Sequence, residues 1–222
     1  MSNRDYEYNS NICKVKQVKF SLLSPEEIKN QSTCKITDHT LYSTTLEGST
    51  PCPGGLYDLK MGAIDSNVIC ETCHQRSSLC PGHFGYIELE APVFHMHFIT
   101  RILKLLKCIC FRCSKLLLNE EELRGTTGKD IYETFDIIYE KCKKVKVCSN
   151  LNGCGAVQPT RYIREGIGKI FAEWVNKDSQ NKKVLVRADY VLKIFKRITD
   201  DDCNKLGFSP EFCRPEWLIC SV

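Results

Sequence analysis

The clearest chemistry in this sequence lies in two clusters of cysteine and histidine. The first cluster, Cys70-x2-Cys73-x6-Cys80-x2-His83, fits within fourteen consecutive positions. Two residues between ligands allow a tight turn to direct both side chains at one ion, and two such pairs complete a tetrahedral site. Because protein side chains fill all four positions, the spacing predicts a structural metal site rather than a catalytic one with an open position.

The second cluster is spread over a longer stretch of chain. Its favoured ligands are Cys110, Cys113, Cys148 and Cys154, with 34 residues between the two pairs, which leaves room for a helix. Cys108 and Cys142 are rival ligands, since the spacing alone does not fix the choice. The sequence therefore predicts a second zinc site, with Cys108 and Cys142 as alternatives to its favoured ligands.

Cysteine is also the outlier of the composition, with 15 in 222 residues beside only 5 histidines. The N-terminus lacks the apolar segment and cleavage site of a secretory signal, and no run approaches the roughly 20 apolar residues of a membrane span. We therefore expect an intracellular protein whose clustered thiols are reduced and bind metal. The cysteines without paired spacing are expected to be buried thiols: Cys13, Cys34, Cys52, Cys203, Cys213 and Cys220.

Charge is unevenly distributed between the two halves of the chain. Residues 1–100 carry 8 basic and 11 acidic side chains, while residues 101–222 carry 23 and 16. A basic excess of this size is compatible with nucleic-acid binding without establishing it. No nucleophile elbow, Walker loop or metalloprotease motif occurs in the sequence. Asp200-Asp201-Asp202 is read as a helix start capped by Thr199.

The elements that position the clusters are predicted from capping and periodicity. Ser24 and Glu27 form a capping box with Pro25 at the first position of a helix that ends near Gln31. Residues 32–69 are rich in Ser, Thr, Gly and Pro and predict an irregular loop. Helices are further predicted over 94–107, 129–142 and 189–198, and strands over 15–20, 86–89, 166–176 and 183–187. The fold class is therefore α+β, with irregular regions that need stabilisation by zinc.

Several segments together resemble a known family. CETCHQRSSLCPGHFG with FGYIELEAPVFH, and then CICFRCSKLLL, are similar to the N-terminal region of the largest subunit of multisubunit DNA-directed RNA polymerases. The eukaryotic RNA polymerase II type is the nearest match. Further pieces agree in the same order: VKQVKFSLLSPEEI, GGLYDLKMGAID, GCGAVQPT and LGFSPEFCRPEWLIC. The resemblance spans about residues 15–220.

The resemblance implies a polymerase clamp that closes over DNA and the RNA–DNA hybrid, with the second-largest subunit as its notable partner. It implies a clamp core segment over 1–93, and a clamp head with a return to the clamp core over 94–222. It also implies two structural Zn²⁺ ions, one on Cys70, Cys73, Cys80 and His83, the other on Cys110, Cys113, Cys148 and Cys154. The nucleus is the expected location for a cellular protein, and the virion or host replication site for a viral one.

Basic residues of the clamp would then meet DNA phosphates without reading sequence. The candidates lie in the charge-dense stretches of the second half: Lys141, Lys143, Lys144, Lys146, Arg161 and Arg164. Surface solvation is the competing interpretation of each of them.

Two departures from the family pattern qualify this interpretation. Only 5 residues separate Cys148 from Cys154, which is shorter than in many nuclear homologues. The Mg²⁺-binding aspartates of the family lie beyond Val222, so this chain by itself is expected not to polymerise. A fragment, a truncated reading frame and one piece of a split subunit are all compatible with the sequence.

Two other classes of protein compete with the clamp as interpretations of the sequence. One is a free-standing zinc adaptor that binds protein partners, although the interleaved ligand order of a RING domain does not fit two sequential sets. The other is a zinc hydrolase, which is disfavoured because no open three-ligand site is visible.

Overall fold

The computed structural model describes residues 15–18, 20–45, 48–125, 130–149, 153–175, 182–211 and 213–222. The chain is of mixed α+β class, as predicted, with short strands in small separate sheets and helices grouped in the second half. None of the helices within these residues is long and apolar enough to cross a membrane.

The first part of the chain consists of short elements joined by turns. Helix α1 (Pro25–Gln31) precedes β1 (Cys34–Lys35), and β2 (Tyr42–Thr45) and β3 (Gly48–Pro51) form a hairpin. Strand β4 (Gly85–Tyr86) pairs in parallel with β1. Strand β5 (Val93–Phe94) then leads through a 3-10 turn (Met96–Phe98) into the helical part.

The second part alternates helices with one antiparallel meander. Helices α2 (Ile99–Cys108), α3 (Glu120–Leu123) and α4 (Ile131–Cys142) come first. Strands β6 (Arg161–Glu165), β7 (Lys169–Trp174) and β8 (Lys182–Val186) form a three-stranded sheet in that order. Helices α5 (Ala188–Phe195) and α6 (Asp200–Lys205) lead to a 3-10 turn (Pro215–Leu218), after which β9 (Ile219–Cys220) pairs antiparallel with β5.

The apolar core belongs almost entirely to the second part. Its fully buried side chains come from α2, α4, α5 and the middle of the sheet, for example Ile102, Leu105, Phe135, Ile170 and Phe195. Among the described residues before 94, Cys70 is the one apolar side chain in the buried class. The first part therefore depends on hydrogen bonds and on its Cys/His cluster rather than on a hydrophobic core.

The helix boundaries follow the capping chemistry that the sequence predicts. Ser24 accepts from the Glu27 amide at 3.1 Å, and the Glu27 carboxylate accepts from the Ser24 amide at 2.7 Å, so the predicted capping box is confirmed. Thr199 accepts from the Asp202 amide at 3.2 Å and caps α6 as predicted. Helices α4 and α5 lie within two or three residues of their predicted bounds, at Ile131–Cys142 and Ala188–Phe195.

Other predictions of secondary structure are wrong in part. No strand forms over 15–20 in the residues described there, because Val15, Val18 and Phe20 are exposed and have no partner strand. The predicted loop over 32–69 contains β1 and the β2–β3 hairpin, which polar Ser and Thr side chains concealed. Of the strand predicted over 86–89, only Tyr86 pairs, at the end of β4.

The remaining differences arise where tertiary pairing overrides the local pattern. The helix predicted over 94–107 begins at Ile99, because Phe94 pairs with Ile219 across the β5–β9 sheet. Strand β6 was not predicted at all, and β7 and β8 are close to their predicted positions. Cys203 is buried, as predicted. The prediction of burial is wrong for four other thiols, which are only half-buried: Cys34, Cys52, Cys213 and Cys220. Cys13 lies outside the described residues.

The cap of α1 gives a first testable expectation. Ser24→Ala removes the oxygen that accepts the Glu27 amide, and we expect the free energy of unfolding to fall by about 1 kcal/mol. Urea denaturation followed by far-ultraviolet circular dichroism measures it. Ser21→Ala, a nearby exposed serine outside the helix, is the matched control and is expected to leave stability unchanged.

Candidate metal centres

The structure brings Cys70, Cys73, Cys80 and His83 together in the first part of the chain. Their ligand atoms all lie within 4.8 Å of one another, and Cys80 Sγ is 3.7 Å from His83 Nε2. Cys70 is completely buried, and the other three side chains are half-buried. The group is thus a closed set of three sulfurs and one nitrogen.

A tight backbone turn makes this grouping possible. The Cys70 carbonyl accepts from the His74 amide at 2.9 Å, and the Cys70 amide donates to the Gln75 backbone carbonyl at 3.0 Å. His74 closes the turn with a φ of +56°, a left-handed conformation that costs a side chain some energy. On the other side of the group, the His83 amide donates to the Met61 carbonyl at 2.8 Å. This hydrogen bond holds the second pair of ligands, Cys80 and His83, against the segment that precedes Cys70.

The second group consists of Cys110, Cys113, Cys148 and Cys154. Cys110 Sγ lies 3.5 Å from Cys154 Sγ, and Cys113 Sγ lies 3.8 Å from Cys148 Sγ. All four sulfurs are within 4.8 Å of one another. Unlike the first group, this one packs directly on the apolar core, to which Cys110 and Cys148 belong.

The turn at Cys110 repeats the one at Cys70, and a similar bond closes a longer loop at Cys148. The Ser114 amide donates to the Cys110 carbonyl at 2.9 Å, and the Gly155 amide donates to the Cys148 carbonyl at 3.0 Å. Ser114 and Gly155 have φ of +62° and +67°. The carbonyl of the first cysteine in each pair thus accepts from the amide that follows the second cysteine, across four residues at Cys110 and seven at Cys148, a likeness that sequence spacing alone does not reveal.

The separations between ligand atoms fit a tetrahedral zinc ion. Zn–S bonds of about 2.3 Å at tetrahedral angles place two sulfurs about 3.8 Å apart. The sulfur pairs of the second group, at 3.5 and 3.8 Å, agree with this value. Sulfur and imidazole ligands with every position filled are the donor set of structural zinc sites.

Hydrogen bonds to the ligand sulfurs and their burial act on the thiol pKa values in opposite directions. The Arg112 amide donates to Cys110 Sγ at 3.4 Å. At the first group, burial acts to raise the pKa of Cys70, but hydrogen bonds from the Cys73 and Thr72 amides outweigh it and lower that pKa to about 7. At Cys148, burial dominates and raises the pKa of the thiol to about 12.

The two rival ligands lie elsewhere. Cys108 and Cys142 are completely buried in the core between α2 and α4, and Cys142 Sγ is 3.7 Å from the Cys108 carbonyl. Their mutual hydrogen bond and burial raise the pKa of Cys108 far above that of a free thiol. Among the described residues the two metal-capable groups contain neither of them, so both act as packed thiols.

Gln158 is a site residue that the spacing analysis did not find. Its side chain is buried, donates to Cys110 Sγ at 3.2 Å and to the Ala156 carbonyl at 2.9 Å, and accepts from the Phe111 amide at 3.3 Å. It thereby ties the turn at Cys110 to the segment after Cys154. The signal that the sequence offers for this role is a glutamine four residues after Cys154, the last ligand. Its hydrogen bond to Cys110 forms only in the folded chain.

We expect Gln158→Leu to weaken metal binding at the second group by about 10- to 100-fold, because outer hydrogen bonds orient ligands and stabilise thiolates. Competition with a chromophoric chelator on the purified chain measures the two affinities. The first group, which Gln158 does not touch, is the internal control. Unchanged affinity at the second group would contradict this role for Gln158.

The six basic residues predicted to contact DNA phosphates differ in the contacts that their side chains make within the chain. Lys141 donates to the Glu122 carbonyl at 2.6 Å, and Lys143 lies 3.7 Å from Glu140. Arg161 pairs with the poorly exposed Glu173 at 2.7 Å, and Arg164 donates to the Gly166 carbonyl at 2.9 Å. Lys144 and Lys146 are exposed, and within the described part of the chain neither has an ion pair.

A mixed α+β fold with two closed Cys-rich groups defines a class of protein that is able to hold two metal ions. The family model for RNA polymerase Rpb1, domain 1, matches residues 12–222, so the chain belongs to this family. The chain is also 38% identical over 224 aligned positions to the DNA-directed RNA polymerase II subunit RPB1 of Euplotoides octocarinatus. That alignment covers 94% of this chain and 45% of the relative, so the chain spans less than half the length of that protein.

Proposed function

We propose that this chain is the clamp portion of the largest subunit of a DNA-directed RNA polymerase and contributes to transcription by holding DNA and the RNA–DNA hybrid. The observation that carries the proposal is the family match over residues 12–222 together with both metal-capable groups inside that range. Residues 1–93 serve as the clamp core segment, and residues 94–222 serve as the clamp head and its return. The pairing of β5 with β9, which brings the end of the chain back to residue 93, supports this division.

Two structural Zn²⁺ ions are part of the proposal. Cys70, Cys73, Cys80 and His83 would hold one, and Cys110, Cys113, Cys148 and Cys154 the other. Zinc bound there supplies folding energy and rigidity, of about 10 kcal/mol or more per site in small zinc domains. The first part of the chain has almost no apolar core, so it has the greater need of that energy.

Exposed apolar side chains support assembly with other polymerase subunits, the second-largest among them. Phe20 is 99% exposed, Phe84 78% and Leu79 72%. Burial of these side chains against another subunit would remove their apolar surface from water, which is favourable. All three lie before residue 94, in the proposed clamp core segment.

Affinity purification of the native chain from its source tests this assembly. Recovery of a second-largest polymerase subunit is expected, along with nuclear localisation for a cellular protein. A free-standing zinc adaptor, the alternative function, would instead recover other proteins and no polymerase subunit. That result would overturn the proposal while leaving the metal sites intact.

Contact with DNA would be electrostatic and independent of sequence. Lys144 and Lys146 are the strongest of the six candidates, because no carboxylate among the described residues pairs with them. Arg161 is the weakest, since Glu173 already neutralises its charge. Each phosphate contact releases a counterion, so affinity should fall as salt rises.

We expect the double variant Lys144→Ala with Lys146→Ala to bind duplex DNA more weakly and to lower the slope of log affinity against log salt by about 2. Fluorescence anisotropy with a labelled duplex across a salt series measures both quantities. Arg161→Ala is the matched control and is expected to change the slope by much less. Equal slopes for the double variant and the unmodified chain would exclude these two lysines as phosphate contacts.

A further inference from the structure

One lysine lies inside the core close to the second metal-capable group. Lys107, in the last turn of α2, is 7% exposed and is the one lysine in the buried class among the described residues. Lysine is almost never fully buried unless it is paired, because removing an ammonium ion from water is costly. The position of Lys107 therefore requires a negative charge nearby.

Within the described part of the chain, no carboxylate pairs with Lys107. Its ammonium group donates to the carbonyl of the buried Pro159 at 2.7 Å. Its titratable neighbours are the thiols of Cys108 and Cys142, and their mutual hydrogen bond and burial raise the pKa of Cys108 far above that of a free thiol. Burial lowers the pKa of Lys107, since no charged partner offsets it.

The segment that holds Lys107 also contacts the second metal-capable group. Gln158, which precedes Pro159, donates to Cys110 Sγ at 3.2 Å. Neighbouring Cα atoms are about 3.8 Å apart, so the contact of Gln158 with Cys110 and that of Pro159 with Lys107 are adjacent along one segment. Lys107 also comes only three positions before Cys110 in the sequence. Both connections bring Lys107 close to the second group.

Zinc at the second group would leave more negative charge in the protein than zinc at the first. Four thiolates exceed the charge of one Zn²⁺ by two units, whereas three thiolates and a neutral imidazole exceed it by one. The second group is also the more buried, since it contains Cys110 and Cys148 in the buried class and the first group contains only Cys70. Negative charge in a core is costly unless a positive charge lies near it.

We propose that Lys107 is the counter-charge of the second zinc site: its buried ammonium group offsets part of the negative charge of the four thiolates and thereby strengthens zinc binding there. Lys107 is not a ligand and acts on the ligands through space. The inference rests on the zinc ion proposed at that group. It also accounts for a lysine inside the core, because the metal centre supplies the negative charge that Lys107 otherwise lacks.

Three substitutions separate the charge of Lys107 from its packing and its hydrogen bond. Lys107→Met keeps much of the volume, Lys107→Gln also keeps a hydrogen-bond donor, and Lys107→Arg keeps both donor and charge. Competition with a chromophoric chelator on the full chain measures the zinc affinity of each group. We expect the affinity of the second group to fall by about tenfold or more in the Met and Gln variants, and to be largely restored in the Arg variant.

Two controls accompany these measurements. The zinc affinity of the first group is the internal control, and it should not change. Lys104→Met is the matched control, because Lys104 lies on the same helix but already pairs with Asp136 at 2.7 Å. Its removal should leave the zinc affinity of both groups unchanged.

The reduction potential of iron in the second group measures the same charge in a second way. Tetrahedral sites with four sulfur ligands also accept iron, and reduction of Fe³⁺ to Fe²⁺ adds one unit of negative charge to the site. A nearby ammonium group favours the reduced form. In the iron-loaded chain, Lys107→Gln should therefore lower the potential of the second group by about 59 mV, which is a tenfold change for one electron, and leave the first group unchanged.

Unchanged zinc affinity of the second group in the Met and Gln variants would overturn the proposal. A loss in Lys107→Met that Lys107→Gln restores would also overturn it, because a hydrogen bond to Pro159 would then suffice. If Lys107→Arg fails to fold, the iron potential decides, and a potential that does not fall in Lys107→Gln contradicts the role. An unmodified chain without zinc at the second group would overturn the proposed zinc site as well, whereas failure of the Lys107 variants alone leaves that site intact.

Discussion

Cys110→Ser is expected to remove one of two zinc ions from the chain and to unfold its second half. Cys110 is completely buried in the core cluster, and Cys154 Sγ lies 3.5 Å away. Loss of the Cys110 ligand leaves only three sulfurs for the zinc ion, so the site is no longer closed. A structural zinc contributes about 10 kcal/mol or more, comparable to the whole stability of a domain at about 5–15 kcal/mol.

Metal analysis by mass spectrometry, combined with circular dichroism, measures this effect. The unmodified chain should carry about two zinc ions, and Cys80→Ser should likewise lose close to one together with folded structure in the first part. Cys142→Ala is the matched control, because this buried thiol is one of the two rival ligands and lies outside both groups. It should keep both ions and lose only packing energy. Retention of both ions by Cys110→Ser would overturn the ligand assignment.

Phe135→Ala is expected to lower the free energy of unfolding by about 3–5 kcal/mol, which is the cost of a large cavity in a core. Phe135 lies on α4, is fully buried and meets Phe208 edge to face with centroids 6.2 Å apart. The Arg101 guanidinium carbon lies 3.8 Å from the ring centroid, a cation–π contact that the variant also loses. This single ring thus joins α2, α4 and the segment after α6.

Urea denaturation of zinc-loaded protein measures the loss, and the metal content should remain near two. Ile137→Ala on the same helix is the control, since Ile137 is only half-buried and should cost much less. Phe135→Leu retains part of the packing but not the cation–π contact. Its loss of unfolding free energy should therefore fall between those of Ile137→Ala and Phe135→Ala. A loss for Phe135→Ala no greater than that for Ile137→Ala would contradict the central position of the ring.

The sequence predicted best where a local rule determines structure. The capping box at Ser24 and the cap at Thr199 depend on neighbours three residues away, and both are present as predicted. The amphipathic pattern around Phe135 and Ile138 likewise gave α4 to within two residues. In each case the relevant partner lies within one or two helical turns.

Prediction failed where the partner is distant. Strand β5 exists because Phe94 meets Ile219, 125 positions later, and the pattern near Phe94 favoured helix instead. Strand β6 and the hairpin of β2 and β3 have little apolar alternation, so only their pairing partners reveal them. Gln158 escaped notice for the same reason, since its hydrogen bond to Cys110 spans 48 positions.

By itself, the sequence determined the chemistry of the metal-capable groups and the family resemblance, because ligand type and short spacing are properties of the chain. Spacing left Cys108 and Cys142 as rival ligands and the resemblance favoured the other four cysteines, whose sulfurs the tertiary structure then groups together. Helices α2 and α4 pack against each other and bury the rival thiols, while hydrogen-bonded loops bring Cys148 and Cys154 to Cys110 and Cys113. Four cysteines of equal chemistry are separated only by where the packed core directs their sulfurs, and that is a property of the fold.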